Sequence, residues 1–261
     1  MARITPLFSS SKGNSYYVGN EKSGILIDCG VSYSQLKSAM SLCGYEMSAV
    51  KGVFITHEHS DHIKGLKTLQ KTLDVPIFAS LPTLDKLVLD KQVYSSNELY
   101  DIHKPVSICN MQVKAFKTPH DSICSVGYTV ETEDERKIAV CTDLGKLTEE
   151  VQLAITGCDL CVLEANYDEK MLKENPLYPP YLKNRIRSGN GHLSNPDSAE
   201  EAKYLIESGT TRIILGHLSQ NNNRPEIALT TVLEKLNGFT VGKDFLIDVA
   251  PVSTTGKTVV F

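Results

Sequence analysis

A short stretch rich in histidine constrains this chain more than any other feature of its sequence. Residues 57–62 have the sequence HEHSDH and directly follow an apolar run, GVFIT at 52–56, that we expect to form a strand. Because alternate side chains of an extended segment share a face, His57 and His59 can bind one metal ion. Asp61 and His62 lie where the chain turns into the next predicted helix, so they can reach a second ion. The pattern therefore predicts a binuclear metal site and not a solvated loop with incidental histidines.

The other histidines strengthen this interpretation. The chain has seven, and six lie in short motifs that contain Gly, Pro, Ser or Asp and follow apolar, strand-like runs. Such positions are where α/β folds place their functional sites. These six are His57, His59, His62, His120, His192 and His217. His103 has no such setting, and we expect it to be an ordinary surface histidine.

Composition bounds the fold and the environment of the protein. With 41% hydrophobic and 22% charged residues, the chain 1–261 is expected to form one globular domain. No apolar run is long enough to span a bilayer, and the N-terminal residues are not expected to form a signal peptide. The seven cysteines are therefore expected to be reduced, and the protein to be cytoplasmic and free of membrane partners. The formal net charge of −4 argues against non-specific coating of nucleic acid, but it is compatible with a local basic groove.

The order of predicted elements indicates an α/β protein. Strand-like and helix-like segments alternate in both halves, and antiparallel-looking strands occupy residues 106–142 between them. Mixed strands between helices favour a layered α/β sandwich. Helices are predicted over 62–73 and 196–207, the second with Asn195 as its N-cap and Pro196 at its first position. That helix would place His192 just before its positive end.

The motifs together resemble those of the metallo-β-lactamase superfamily over most of the chain. HEHSDH has the superfamily's H-x-H-x-D-H spacing, and later motifs are TPHDS at 118–122, TDLG at 142–145 and LGHLS at 215–219. The resemblance implies a single-domain, four-layer αββα sandwich, and Asp28 matches an acid that orients the loop beneath the site. It assigns the metal ligands as follows: His57, His59 and His120 to one ion, Asp61, His62 and His217 to the other, and Asp143 to both as the bridging carboxylate.

Such a site has a definite chemistry. Two cations that share a carboxylate lower the pKa of a bridging water, so that hydroxide exists at neutral pH, and they stabilise the transition state of a phosphodiester. Nitrogen and oxygen ligands without thiolate suit two divalent ions of manganese, zinc or iron, and the sequence leaves this choice open.

Two further residues refine the reaction class. Glu164 ends a predicted strand and His192 follows a glycine, which suits an acid-oriented imidazolium that protonates a leaving oxygen. The pair resembles the Glu–His pair of nuclease branches of the superfamily, such as the tRNA 3′-processing enzymes. The alternatives are structural roles, a strand-end carboxylate and a helix-capping histidine. We therefore predict Asp61, Glu164 and His192 as catalytic residues.

A basic and aromatic segment separates Glu164 from His192. Between positions 170 and 192 a single acid, Glu174, stands against five basic residues, and Tyr178 and Tyr181 are interleaved with them. The basic residues are Lys170, Lys173, Lys183, Arg185 and Arg187. This composition suits a nucleic-acid backbone and an unstacked base, or else a solvated helical face with tyrosines packed beneath it.

Within the superfamily, three stretches resemble the bacterial YycJ (WalJ) family: SSSKGNS at 9–15, LEANYD at 163–168 and HLSQNNN at 217–223. The resemblance implies a cytoplasmic nuclease that degrades double-stranded DNA in the 5′→3′ direction. It also raises the hypothesis that the 9–15 loop donates hydrogen bonds to a terminal phosphate. Three alternatives stay open: an RNA-processing phosphodiesterase, a thioester or other small-molecule hydrolase of the same fold, and a non-catalytic binding module.

Overall fold

Two β-sheets packed face to face form the centre of the protein in a computed structural model that describes residues 3–94 and 98–260. The remaining positions of the predicted 1–261 domain, 1–2, 95–97 and 261, lie outside the described residues. Helices cover the outer face of each sheet. The predicted four-layer αββα sandwich is therefore confirmed.

The first sheet is built mainly from the N-terminal half. Its strands and covering helices are, in chain order, β1 (Arg3–Ser10), β2 (Gly13–Gly19), β3 (Gly24–Ile27), α1 (Tyr33–Leu42), β4 (Val50–Phe54), α2 (Ser60–Ile63), α3 (Leu66–Leu73), β5 (Ile77–Ala79), α4 (Leu81–Leu89) and β6 (Leu99–Asp101). A 3₁₀ turn at Met47–Ala49 precedes β4. Strands β1 to β3 are antiparallel, whereas β3 to β6 run parallel to one another.

The second sheet follows in the C-terminal half. Its elements are β7 (Val106–Ile108), β8 (Met111–Lys117), β9 (Val126–Thr132), β10 (Lys137–Cys141), α5 (Glu149–Ile155), β11 (Leu160–Glu164), α6 (Glu169–Glu174), α7 (Pro180–Arg187), α8 (Asn195–Glu207), β12 (Arg212–Gly216), α9 (Pro225–Lys235) and β13 (Leu246–Val249). Strands β7 to β10 are antiparallel and β10 to β13 are parallel. A short β14 (Val259–Val260) returns to pair with β1 in the first sheet.

The central strands are apolar on both faces because both faces are covered. On β3, Ile25 and Ile27 pack between the two sheets, whereas Leu26 packs against the helices of the first half. On β11, Val162 lies between the sheets and Cys161 lies under the helices of the second half. All seven cysteines are unpaired thiols. Among the described residues, no helix has both the length and the apolar character needed to cross a bilayer.

Two local predictions were wrong. The predicted helix over 62–73 is split into α2 and α3, because the Gly65 amide donates to the Cys29 carbonyl and the chain there passes too close to Val31 for a side chain. Helix α8 has Ser194 as its N-cap, not Asn195. The Ser194 hydroxyl accepts from the Asp197 amide, whereas the Asn195 side chain forms hydrogen bonds with Asn223.

Candidate metal centre

The side chains predicted to bind metal converge at one edge of the sandwich. Residues 57–62 follow β4, His120 follows β8, Asp143 follows β10 and His217 follows β12. Carboxyl ends of parallel strands meet at the same edge of a sheet, and β10, β11 and β12 form such a set. All seven predicted ligands fall in groups whose ligand atoms lie within 4.8 Å of one another.

Three side chains leave their strand ends from an unusual backbone conformation. Asp28, Asp143 and His217 have φ angles of 63°, 58° and 56°, in the left-handed region. Asp and His tolerate this region better than β-branched residues do, but it still costs about 1–3 kcal/mol at each position. Such strain clusters at functional sites. Here it turns the chain sharply at the ends of β3, β10 and β12, three of the strand ends that carry side chains of the centre.

Three imidazoles form one part of the centre. The ring centroids of His57 and His59 lie 4.5 Å apart, and His120 lies 4.9 Å from the first and 5.1 Å from the second. His57 and His120 are buried, and His59 is half-buried. His57 and His59 thus share a side and both approach His120, as expected for alternate side chains of an extended segment.

The second part contains Asp61, His62 and His217. The Asp61 Oδ2 atom lies 3.6 Å from His62 Nε2 and 3.7 Å from His217 Nε2. Asp143 lies between the two parts, with Oδ2 3.2 Å from His62 Nε2 and Oδ1 3.7 Å from His120 Nε2. Its carboxylate therefore stands where a group shared by two cations would be needed.

Hydrogen bonds orient the imidazoles so that their Nε2 atoms face inward. His62 Nδ1 donates to Asp28 Oδ2 over 2.8 Å, and His120 Nδ1 donates to the Gly191 carbonyl over 3.0 Å. His217 Nδ1 donates to Glu164 Oε1 over 2.8 Å. A proton held on Nδ1 leaves Nε2 as a lone pair, which is the form of histidine that binds a metal.

Asp28 organises the floor of the centre. Its Oδ1 accepts from the Thr56 amide over 2.8 Å, while its Oδ2 binds His62, so one buried carboxylate joins β4 to the start of α2. Burial raises the pKa of Asp28, and the neighbouring His62 offsets part of that effect. The position agrees with the expectation that this acid supports the loop from beneath.

The charges of the centre are strongly coupled. Burial opposes protonation of His62 and His217, but the carboxylates around them outweigh it and raise both pKa values, that of His217 to about 10. Burial, followed by the neighbouring His62, holds the pKa of His57 well below its usual range. For Asp143 burial is outweighed by His217 and His62, so its pKa lies well below the usual range. The pKa shifts of His62, His217 and Asp143 have one cause: the carboxylates of the centre and positive charge on the groups around them favour each other.

The same atoms fit divalent cations. His57 Nε2, His217 Nε2 and Asp143 Oδ2 are buried and have no hydrogen-bond partner. Buried polar atoms without a partner are rare and costly unless they bind something else. Imidazole nitrogens and carboxylate oxygens without thiolate are the ligands of zinc, manganese and iron. The residues present therefore fit divalent metal ions.

Glu164 and His192 lie directly beside this centre. Glu164 is fully buried, and its Oε1 lies 2.8 Å from His192 Nδ1 and 2.8 Å from His217 Nδ1. Its Oε2 accepts from the backbone amides of Leu144, over 2.7 Å, and Leu193, over 3.2 Å. Burial alone would raise the pKa of Glu164, but His192 and His217 outweigh it and lower the pKa. The predicted pair thus exists, and the same carboxylate also holds His217.

The 9–15 stretch spans the turn of the β1–β2 hairpin, and two of its side chains contact the centre. Asn14 Nδ2 lies 3.1 Å from His62 Nε2 and also donates to the Ser10 carbonyl. Ser9 Oγ accepts from the His217 amide over 2.8 Å and bonds the Tyr16 hydroxyl over 2.7 Å. Ser11, by contrast, is exposed in the turn. Ser9 and Asn14 therefore help to position His217 and His62.

The basic segment forms α6 and α7 and leads directly into His192. None of the residues of α7 is buried. Arg185 on α7 pairs with Asp121, and Asp121 Oδ1 lies 3.4 Å from His120 Nε2. The chain then turns at Gly191, where a Cβ would lie 2.2 Å from the Ile186 carbonyl oxygen. This close approach explains the glycine before His192.

Sequence reasoning missed several contacts of the centre. Ser9 and Asp121 were not proposed individually, because neither lies in a pattern that distinguishes it from an ordinary turn residue. Asn166 lies in the LEANYD stretch, where nothing marks it as a site residue, yet its Nδ2 donates to the His217 carbonyl over 2.8 Å. His103 lies away from the centre, exposed and paired with Asp101, as expected.

Comparison with known proteins agrees with this geometry. Residues 24–218 match the family model described as the beta-lactamase superfamily domain. The chain is 32% identical to exodeoxyribonuclease YycJ of Bacillus anthracis over 92% of this chain and 91% of that one. It is 30% identical to exodeoxyribonuclease WalJ of Streptococcus pneumoniae over 97% of this chain and 96% of that one.

The fold comparison gives the same result. The metallo-beta-lactamase fold protein YhfI from Bacillus subtilis superimposes with a TM-score of 0.71 at 14% identity, over 97% of this chain and 98% of that one. A likeness at that identity concerns the fold alone. The family match and the two sequence relatives carry the assignment further: the chain belongs to the beta-lactamase superfamily and, within it, to the YycJ and WalJ family of hydrolases.

Proposed function

We propose that the protein is a metal-dependent nuclease that degrades double-stranded DNA from its 5′ ends. The observation that carries this proposal is the hydrogen bond between Glu164 and His192, 2.8 Å long, beside two groups of metal-ligand side chains. A hydrolase that only activates water needs no such pair, whereas cleavage of a phosphodiester benefits from an acid at the leaving oxygen. The two relatives named exodeoxyribonucleases support DNA as the substrate.

In this proposal the ligands divide as the sequence predicts. His57, His59 and His120 would hold one divalent ion, Asp61, His62 and His217 the other, and Asp143 both. Two ions of manganese, zinc or iron bound there would supply an activated water and neutralise charge on the phosphate oxygens.

The chain's own residues would then have separate tasks. Asp61 is partly exposed, unlike Asp143, so its carboxylate can receive a proton from the attacking water at the mouth of the site. Glu164 holds the His192 ring through Nδ1, and 19% of the His192 side chain is exposed, so its Nε2 is free to protonate the leaving oxygen. Asp61, Glu164 and His192 are the residues that we propose for proton transfer and its control.

The turn of the β1–β2 hairpin is a candidate site for the terminal 5′ phosphate. Asn14 and Ser9 are committed to internal contacts, so Asn14→Ala would disturb His62 as well as any phosphate. Ser11 is exposed, and Ser11→Ala is the cleaner test. We expect the variant to lose preference for a 5′-phosphorylated end over a 5′-hydroxyl end. An unchanged preference would remove the hairpin turn from the proposal.

The decisive experiment compares nucleic acids directly. Metal-free protein is resupplied with Mn²⁺ and given duplex DNA, or an equivalent RNA, with each strand labelled at either end in turn. Asp143→Ala is the inactive control, and His103→Ala is the matched control because this histidine lies away from the centre. Progressive loss of nucleotides from DNA 5′ ends, abolished only by the first variant, is expected.

Two other results would redirect the assignment. Cleavage of RNA alone would favour an RNA-processing phosphodiesterase. Cleavage of neither nucleic acid by protein that binds metal would contradict the nuclease proposal and favour a thioester or other small-molecule substrate.

A further inference from the structure

The basic residues of α7 do not share one role. Lys183 Nζ donates to the Lys173 carbonyl over 2.7 Å, and Arg187 reaches the Glu169 carbonyl. Both therefore attach α7 to α6. Arg185 instead leaves this pair of helices and binds Asp121 on the loop after β8.

This ion pair lies at the rim of the metal centre. Asp121 follows His120, whose Nδ1 donates to the Gly191 carbonyl just beyond α7. The Arg185 side chain is 54% exposed, and an ion pair this exposed is weak, so a phosphate can replace or share Asp121. Among the described residues, the Arg185 side chain forms hydrogen bonds only through Nε, which leaves its two terminal nitrogens for another partner. These nitrogens form the edge of a guanidinium that matches phosphate geometry.

An unpartnered aromatic ring stands on the same helix face. Tyr181 precedes Arg185 by four residues on α7, so the two side chains are neighbours on one face. The Tyr181 side chain is 74% exposed, and no described residue stacks on it or bonds its hydroxyl. Leu177, just before the helix, is 82% exposed. Two large exposed apolar groups close to Arg185 suit a nucleic-acid base, since every such base has a face on which an aromatic ring can stack.

We propose that Arg185 and Tyr181 form a nucleotide subsite at the rim of the centre, in which Arg185 binds a backbone phosphate and Tyr181 stacks on an unpaired base. This inference rests on the proposed nuclease function and specifies its substrate: a strand whose nucleotide next to the cleaved bond has left the duplex. The enzyme would accordingly favour frayed or single-stranded ends over blunt, GC-rich ends.

Binding measurements test Tyr181 separately from catalysis. The full chain is titrated in EDTA with fluorescent duplex DNA that carries a short 5′ single-stranded end, and cleavage of the same DNA is followed with Mn²⁺. Tyr181→Ala should weaken binding and raise KM by about 5- to 100-fold, because one base loses its stacking partner. Tyr181→Phe should behave as the wild type. An abasic nucleotide in the single-stranded end should weaken the wild type but leave Tyr181→Ala unchanged.

The salt dependence of binding tests Arg185. Arg185→Ala should reduce the slope of log affinity against log salt by about 0.7–0.9, the value for one lost phosphate contact on single or double strands. Lys183→Ala removes the same charge from the same helix, but its ammonium is bound to a carbonyl, so the slope should not change.

The outcomes separate the two proposals. Wild-type protein that neither binds DNA in EDTA nor cleaves it with Mn²⁺ would overturn the nuclease assignment and the subsite together. Wild-type protein that cleaves DNA, with Tyr181→Ala and Arg185→Ala equal to it in affinity, KM and salt slope, would overturn the subsite alone. Weaker binding and a higher KM for Tyr181→Ala, with a smaller salt slope for Arg185→Ala, would support the subsite.

Discussion

Replacing Glu164 by glutamine should damage both the stability and the activity of this protein. The carboxylate accepts from four donors: His192 Nδ1 and His217 Nδ1 at one oxygen, and the Leu144 and Leu193 amides at the other. Glutamine has the same shape but only one acceptor oxygen, and its NH₂ group is a donor. Either orientation of the amide therefore turns a donor towards two other donors.

The size of the effect follows from which contacts can adapt. The backbone N–H groups of Leu144 and Leu193 can only donate, so the side-chain oxygen of the glutamine should stay with them and its NH₂ group should face the imidazoles. His192 can shift its proton to Nε2, but His217 cannot if its Nε2 binds a cation. One or two buried donors lost at about 1–3 kcal/mol each lower the unfolding free energy by about 1–6 kcal/mol. Loss of an oriented acid should slow cleavage by about 10²–10⁴-fold.

Urea unfolding and DNA cleavage under matched conditions measure both effects, and the chain offers a matched control. Glu201 is also a buried glutamate, but it accepts a single hydrogen bond, from Gln152 Nε2 over 3.0 Å. Glutamine can accept that bond, so Glu201→Gln should cost less than about 1 kcal/mol and leave cleavage intact. Equal stability of the two variants, or wild-type cleavage by Glu164→Gln, would refute the reasoning from donor number.

Four further outcomes are expected. Ser9→Ala leaves the buried His217 amide and Tyr16 hydroxyl without their shared partner, so it should cost about 1–3 kcal/mol in urea unfolding and weaken metal affinity about 10- to 100-fold in a titration. Gly191→Ala puts a Cβ 2.2 Å from the Ile186 carbonyl oxygen, so it should lower the unfolding free energy by about 1–3 kcal/mol and lower kcat. In the control Gly189→Ala the new Cβ meets only the flexible Lys146 side chain, so urea unfolding and kcat should stay close to those of the wild type. EDTA should lower the Tm in a thermal scan, since ions at a hundredfold excess over Kd contribute about 2.7 kcal/mol, and Mn²⁺ or Zn²⁺ should restore it; an unchanged Tm would argue against bound metal. Burial raises the pKa of Glu201, and the hydrogen bond from Gln152 offsets only part of this, so the pKa of Glu201 is higher in the folded than in the unfolded protein. The wild type should therefore lose stability as pH rises from the unfolded pKa through the folded pKa. Glu201→Gln should remove this pH dependence from urea unfolding measured across the same range.

Local pattern and the family resemblance together indicated the candidate ligands. Each of them follows β4, β8, β10 or β12, and the ends of these strands meet at one edge of the sandwich. Taken singly, a histidine next to glycine or an acid after a strand is also typical of an ordinary turn; together with HEHSDH, and in this order, these motifs resemble the ligand motifs of the superfamily, and that resemblance assigns them. Strands that alternate with helices predicted a layered α/β sandwich, because continuous apolar strands need cover on both faces, and the family resemblance specified the αββα order.

The sequence, together with the family resemblance, thus predicted the layers of the fold and the set of candidate ligands. Only the tertiary structure decided how they are held. The Ser9 hydroxyl and the His217 amide are 208 positions apart, and Arg185 and Asp121 are 64 apart. The two bonds that Glu164 makes to His192 and His217 likewise depend on which strand ends and loops are neighbours. No local periodicity encodes such pairs, because they form only when long-range packing of the two sheets has brought the loops together.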